Sequence, residues 1–201
     1  ATEGVARTRA DLIAGLDERV LGARSGGVLY HPYISTAGER GPFAEPAARA
    51  SFTGLDQGVG WAGLVRAVYD GLALAARDCY AAMGPMPSEV RLTGGAARSR
   101  ALRRILAGAL GVPVRTIERA ESGAAGAVMQ AAIALGHYPD AATAARAWVD
   151  PLLHAAEPPD PGLIPHYDAL FESYRHTRTA LAPAWHAQAE TRRRLAEGSP
   201  S

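Results

Sequence analysis

Glu89-Val-Arg-Leu-Thr-Gly-Gly-Ala-Ala-Arg-Ser99, running on to Leu110, is the stretch on which the fold turns. Glu89 to Thr93 alternates and is partly β-branched, which predicts a short strand. Gly94 and Gly95 follow directly. A glycine pair at a strand's end lets the backbone turn sharply and approach a ligand with no Cβ in the way. A helix then opens: Ser99 suits an N-cap, and Leu102, Ile105, Leu106, Ala109 and Leu110 recur at helical spacing until Gly111 stops it. Strand, glycine turn and helix N-terminus together favour an anion, because free N–H groups point outward and the helix dipole adds positive potential. The same residues also serve as a plain connecting turn, so the stretch alone leaves nucleotide binding and simple packing both open. It is not a Walker loop, since no Gly-Lys-Ser/Thr follows, and not a Rossmann fingerprint, since no third glycine falls at the required offset.

The 201 residues are 48% hydrophobic, enough for one good-sized domain and part of another. Twenty-one Lys and Arg against twenty Asp and Glu leave a net charge of +1, so neither nucleic acid nor a membrane surface is an expected partner. No run approaches the ~20 apolar residues of a membrane span. The start, Ala1-Thr-Glu-Gly-Val-Ala-Arg7, lacks the apolar core of a secretory leader. The single cysteine, Cys79, cannot close an internal disulfide, which points to a reducing, cytoplasmic setting.

Outward from the central stretch, Ala10–Ala23 reads as a helix, Ser25–Gly27 as a turn and Val28–Tyr30 as a short strand. His31 to Pro46 is rich in proline and glycine and reads as a long ordered loop, of the kind that often carries function. Within it, Gly38-Glu39-Arg40-Gly41 sets an acid beside a base; it binds substrate or, as the preferred reading, forms a structural salt bridge. A strong helix follows Gly60, with Trp61, Leu64, Val65, Val68, Leu72, Ala75 and Cys79 expected on its buried face and Arg66, Asp70, Arg77 and Asp78 mostly elsewhere. Cys79 reads as core rather than nucleophile. Asp56 reads as a turn residue and Asp70 as helix surface. Val112–Ile117 is expected as a strand, edge-like because of Pro113. Ser122–Leu135 reads as a helix whose first turns carry almost no side chain, suiting either close helix–sheet packing or a flat ligand. Ala141–Val149 reads as a short helix, Pro151–Pro165 as a connector, Gly162–Trp185 as a closing helix, and 190–201 as a flexible tail.

His166, His176 and His186 are ten apart and spread around a helix rather than sharing a face, and no HExxH or paired Cys occurs, so no metal site is expected. Nor is there a Gly-x-Ser-x-Gly elbow.

Several pieces in order resemble one family. Pro32-Tyr33, Gly38-Glu39-Arg40 with Pro42, Ala48-Arg49-Ala50-Ser-Phe-Thr-Gly54-Leu55 and Arg66-Ala67-Val68-Tyr69-Asp70-Gly71 look like the carboxy-terminal half of the FGGY carbohydrate kinases. Thr93-Gly-Gly-Ala96 with Ser99 is similar to that family's adenosine motif, Ser122–Leu135 to its glycine–alanine helix, and Tyr167–Trp185 to its closing helix. The wording His31-Pro-Tyr33 and Glu39-Arg-Gly-Pro-Phe43 resembles polyol and ketose kinases of the erythritol or xylulose type. One departure is Gly63 before the helix leucine Leu64, where the family usually has a polar residue.

The resemblance implies an α/β, actin-like ATPase (ribonuclease-H-like) fold, of which residues 1–189 would be a portion of the second domain, helix-rich with a small sheet and lacking its first strands. It implies ATP-dependent phosphorylation of a sugar or polyol, with Mg2+ neutralising the phosphates. It places Gly94, Gly95 and Ala96 against the ribose and α-phosphate, Ser99 near the adenine, and the loop of Glu39 and Arg40 at the domain interface. The family's catalytic aspartate and first phosphate loop have no counterpart here. The chain is therefore expected to be a fragment whose partner is the missing N-terminal domain, inactive alone and without a catalytic residue of its own. A homodimer is compatible with the sequence. The rival reading is a non-catalytic nucleotide-binding or structural α/β module of the same superfold.

Overall fold

The computed structural model describes residues 13–198 apart from 25, 118 and 120. In chain order these form α1 (Leu16–Gly22), β1 (Leu29–His31), β2 (Ser51–Thr53), α2 (Trp61–Met83), β3 (Val90–Leu92), a 3-10 turn (Gly95–Arg98), α3 (Arg100–Leu110), β4 (Val114–Ile117), α4 (Ser122–Ala134), α5 (Ala141–Trp148), a second 3-10 turn (Asp150–Leu152), β5 (Leu153–Glu157) and α6 (Ile164–Glu197). They divide into two compact units, one built from the chain up to Pro85 and from Pro165 onward, the other from Met86–Ile164. No described helix is long and apolar enough to cross a membrane. The helix expected over Ala10–Ala23 lies partly outside the described residues, and α1 is its second half.

In the first unit β1 and β2 pair antiparallel, Leu29 opposite Thr53 and His31 opposite Ser51. The helix α2 lies so close to β1 that a Cβ at Gly71 would run into the Tyr30 carbonyl oxygen. That approach sets which face of α2 is buried, and the face differs from the expected one. Trp61 and Leu72 are 46% and 43% exposed, whereas Gly63, Arg66, Ala67, Asp70, Gly71, Leu74 and Asp78 are buried. Asp70, expected at the surface, is 2% exposed. The physical reason is a closed polar network. Arg66 Nε donates to Asp70 Oδ1 at 2.9 Å, Arg66 Nη2 donates to the Tyr167 hydroxyl at 3.0 Å, and that hydroxyl donates to Asp70 Oδ1 at 2.9 Å. Arg66 Nη1 donates to the carbonyls of Val20 and Ala23 at the end of α1. Two buried charges are tolerable when they are paired and their protons are taken up.

The loop after β1 is pinned to α6 by aromatic groups. His31 Nε2 donates to the Tyr174 carbonyl at 3.1 Å while its ring stacks on that tyrosine's, centroids 4.3 Å apart. The hydroxyls of Tyr33 and Tyr174 share a hydrogen bond of 3.1 Å, and Tyr33, Phe43 and Trp185 pack edge-on and stacked. Buried Asp78 on α2 pairs with Arg178 and Arg175 of α6. Cys79 is half-buried, and burial pushes its thiol up, which makes it a poor nucleophile. The helix α6 runs past its expected end at Trp185 to Glu197, with Arg193 and Arg194 paired to Glu190 and Glu197 along the exposed last turns.

The second unit is a three-stranded sheet in the order β3-β4-β5, with β3 and β4 parallel and β5 antiparallel to β4. The expectation of an edge strand at Val112–Ile117 is corrected: β4 is central. Pro113 stands just ahead of Val114, and its carbonyl accepts from the Val90 amide at 2.9 Å, so the missing N–H costs no rung of the ladder. The connector expected over Pro151–Pro165 holds β5. The crossover helix α3 buries Ala101, Ile105, Leu106, Ala109 and Leu110, close to the predicted stripe. The glycine–alanine helix α4 buries no residue among those described, and a Cβ at Gly123 or Gly126 would meet open space.

Two predictions follow from the first unit's core. Arg66→Met should cost about 3–5 kcal/mol in urea unfolding, because it leaves the Asp70 carboxylate buried without its cation, while an Arg66→Met/Asp70→Leu pair should recover most of that loss. Equal destabilisation of the single and double variants would contradict the network's assigned role. Burial, aided by the Arg178 charge and outweighing the bond to Tyr174, holds the His31 imidazole below its ordinary 6.5. The unfolded chain then binds the proton more readily, so stability is full above 6.5 and falls as the pH drops below it. The thermal midpoint of the wild type should fall between pH 7 and 5, and that of His31→Asn should fall less; parallel profiles would refute the assignment.

Candidate functional site

The parallel pair β3 and β4 ends on one edge of the sheet, and the turns leaving both strands open onto a cleft of about 410 Å³. Open α/β sheets bind ligands outside the carboxyl ends of their parallel strands, where such turns diverge. The turn after β3 contributes Gly94, Gly95, Ala97 and Arg98. The end of β4 and the residues after it contribute Thr116, Ile117 and Arg119, and β5 contributes His154.

Gly94 has φ 79° and ψ −161°, a region open almost only to glycine, and it redirects the chain from β3 into the 3-10 turn. No side chain caps that turn. A Cβ at Gly95 would meet nothing, so the backbone there is bare toward the cleft. Both glycines are exposed.

The turn is held from behind. The Ser99 hydroxyl accepts from the Leu102 amide at 3.1 Å, the N-cap expected for α3, and Arg103 Nη1 donates to the Ala97 carbonyl at 2.7 Å. Gly111 at φ 69° ends α3 as expected. Thr93 and Ser122 share a hydrogen bond of 2.6 Å. Since the Ser122 hydroxyl donates to the Arg119 carbonyl, Thr93 is the donor to Ser122, and the start of α4 is tied to the end of β3. Arg119 Nη2 donates to the Trp148 carbonyl at the end of α5, which fixes one edge of its guanidinium.

Of the residues singled out from sequence, Gly94 and Gly95 line the cleft, while Ala96 and Ser99 lie in the same turn without lining it. Thr116, Ile117, Arg119 and His154 were missed, because only the strand pairing brings them beside the glycines. Glu39 and Arg40 belong to the other unit. The expected Glu39–Arg40 salt bridge is not formed: the Glu39 carboxylate accepts from the amides of Arg40 at 2.8 Å and Gly41 at 3.2 Å, stabilising its own turn, and Arg40 is exposed. Backbone bonds between Glu39 and Glu45 close this loop, and Gly38 is required there because a Cβ would run into the Glu45 carbonyl.

The first unit has a larger cleft, about 530 Å³, beside Arg24, Asp56 and Gly58–Gly63. The Asp56 carboxylate there accepts from the Gly58 amide at 2.6 Å, as its turn reading predicts. The smaller cleft is the stronger candidate, because it combines bare glycine backbone, parallel strand ends and two arginines. Among the described residues no group of three His, Cys, Asp or Glu side chains is placed to hold a metal ion.

Residues 2–135 match the FGGY family of carbohydrate kinases, C-terminal domain. The chain is 54% identical over 175 residues to an erythritol kinase of Brucella abortus (strain 2308), covering 87% of this chain and 34% of that protein. It is 35% identical over 143 residues to a glycerol kinase of Dechloromonas aromatica (strain RCB), covering 69% of this chain and 28% of that protein. Among solved structures, a ligand-bound xylulose kinase from Lactobacillus acidophilus superposes with a TM-score of 0.75 at 26% identity, over 90% of this chain and 36% of that one. The chain thus spans about a third of the length of the relatives it matches.

The geometry of the glycine pair separates two substitutions. Gly95→Val should leave the thermal midpoint close to wild type, since its side chain enters open space. Gly94→Val should cost about 1–3 kcal/mol, the strain of a residue with a Cβ in that backbone region. Melting curves in which the two variants are equally destabilised would contradict this account of the turn.

Proposed function

The chain belongs to the FGGY family of carbohydrate kinases, and we propose on that premise that the whole protein transfers a phosphoryl group from ATP to a hydroxyl of a sugar or polyol, this chain supplying the nucleotide-holding side. Its fold is the actin-like ATPase class, as a portion of the second domain. The observation that carries the reading is the bare glycine turn opening onto the cleft at the parallel strand ends. The proposed ATP-binding set is Gly94, Gly95, Ala96 and Ser99. The two glycines let the ribose and α-phosphate approach the backbone, and Ala96 and Ser99 fix the turn that presents them.

The 54% identity to an erythritol kinase favours a short polyol such as erythritol as the acceptor. The general base belongs to a part of the enzyme outside this chain. The exposed Arg40 on its closed loop is assigned to the interface with that part. Mg2+ spreads the charge developed on the phosphates in such transfers. It commonly rides on substrate phosphates and one or two carboxylates. The half-buried lone thiol and the use of ATP favour the cytoplasm as the site of action.

Loss of a general base alone costs about 10²–10⁴ in rate, and loss of the facing wall removes positioning worth ~7–11 kcal/mol. The 201-residue chain should therefore release no ADP from ATP and erythritol, whereas the full-length kinase should. Calorimetry should still detect ADP binding by the chain, and Gly95→Val should weaken it at least roughly ten-fold, a loss of about 1.4 kcal/mol. Phosphoryl transfer by the chain alone, or equal ADP binding by the variant, would overturn the assignment.

A further inference from the structure

Arg98 and Arg119 line the cleft from the turns that leave the two neighbouring parallel strands, and the glycine motif includes neither. The other arginines of this unit's ion pairs, Arg91, Arg104 and Arg115, are matched to Glu89, Asp150 and Glu157. Arg98 and Arg119 make no ion pair among the described residues. Arg98 is exposed at the last position of the 3-10 turn that opens at Gly95. Arg119 is half-buried and held by its bond to the Trp148 carbonyl, so only part of its donor fork is taken. One guanidinium is therefore adaptable and the other preorganised, and both line one cleft with Gly94 and Gly95.

We propose that Arg98 and Arg119 together grip the phosphate groups of the nucleotide, so that this cleft recognises a nucleoside polyphosphate chiefly through its charge and only secondarily through its base. The inference rests on the assignment of the cleft as the nucleotide site. Guanidinium groups suit the task because their planar forks donate two parallel bonds to phosphate oxygens. Affinity should then rise with phosphate count, from adenosine through AMP to ADP, and should fall with added salt.

The test is calorimetry on the 201-residue chain with ADP, adenosine and tripolyphosphate, at low and at physiological ionic strength. Wild type should bind ADP more tightly than adenosine, and should bind tripolyphosphate. Arg98→Ala and Arg119→Ala should each weaken ADP and tripolyphosphate about ten-fold, leave adenosine unchanged and flatten the salt dependence. Arg119→Lys should recover part of the loss. Arg119→Ala also gives up the bond to Trp148, so melting curves accompany it, and Arg98→Ala on the exposed turn carries the test if Arg119→Ala does not fold. Equal wild-type affinity for ADP and adenosine, or unchanged ADP and tripolyphosphate binding in Arg98→Ala, would overturn the inference while leaving the nucleotide site standing. A wild type that binds neither ADP nor adenosine would overturn the site assignment itself, and the inference with it.

Discussion

Two parallel strands cannot be joined by a tight turn, and that constraint shapes the end of the second unit that carries the candidate cleft. To lay β4 beside β3 in the same direction, the backbone must leave the sheet, cross it and return. It does so through Gly94, the 3-10 turn and α3. The exits from β3 and β4 then necessarily open on one edge, and the space between them is the cleft. Gly94 makes the exit sharp, the Ser99 cap and Arg103 hold its far side, and the bond from Thr93 to Ser122 ties the second exit to the first. The candidate site is a consequence of topology before it is a set of side chains.

The first unit solves a different problem, that of packing a long helix against a two-stranded ribbon with few large apolar residues. Its helix comes close to the ribbon because Gly71 has no Cβ to meet the Tyr30 carbonyl and the buried alanines lack bulk. The volume that larger side chains would fill is taken by Arg66, Asp70 and Tyr167, and farther along by His31, Tyr33 and Tyr174. Such a core is specific, because each polar atom needs its particular partner, and it is vulnerable, because removing one partner strands another. The Asp70 Oδ2 and His31 Nδ1 atoms, buried and without a partner among the described residues, mark where that vulnerability lies.

What was legible in the sequence is what is decided locally. Ser99 caps α3 and Gly111 ends it because cap chemistry reaches only a few residues, and the β3–glycine–α3 stretch was readable for the same reason. The order of short motifs also pointed to the FGGY kinases, whose C-terminal domain residues 2–135 match. The buried face of α2 was not legible. Hydrophobic periodicity assigns Arg66 and Asp70 to solvent, and it has no knowledge of a tyrosine 101 positions away that completes their network. The strand β5 was hidden because Leu153-His-Ala-Ala-Glu157 is weakly β-forming and lies between prolines. Pro113 suggested an edge because a proline one residue earlier than a ladder position reads the same as one within it. In the candidate site, the glycines announced themselves, whereas Arg119, Thr116 and His154 carry no signal until β4 and β5 are laid beside β3.

The central claim is that adenine nucleotide occupies the cleft at the ends of β3 and β4. Amide chemical-shift mapping during an ADP titration of the chain tests it most directly, because it reports position without a mutation. The account predicts perturbations concentrated at Gly94–Arg98 and at Thr116, Ile117, Arg119 and His154. Shifts that cluster instead at Arg24 and Gly58–Gly63, around the larger cleft of the other unit, would contradict it.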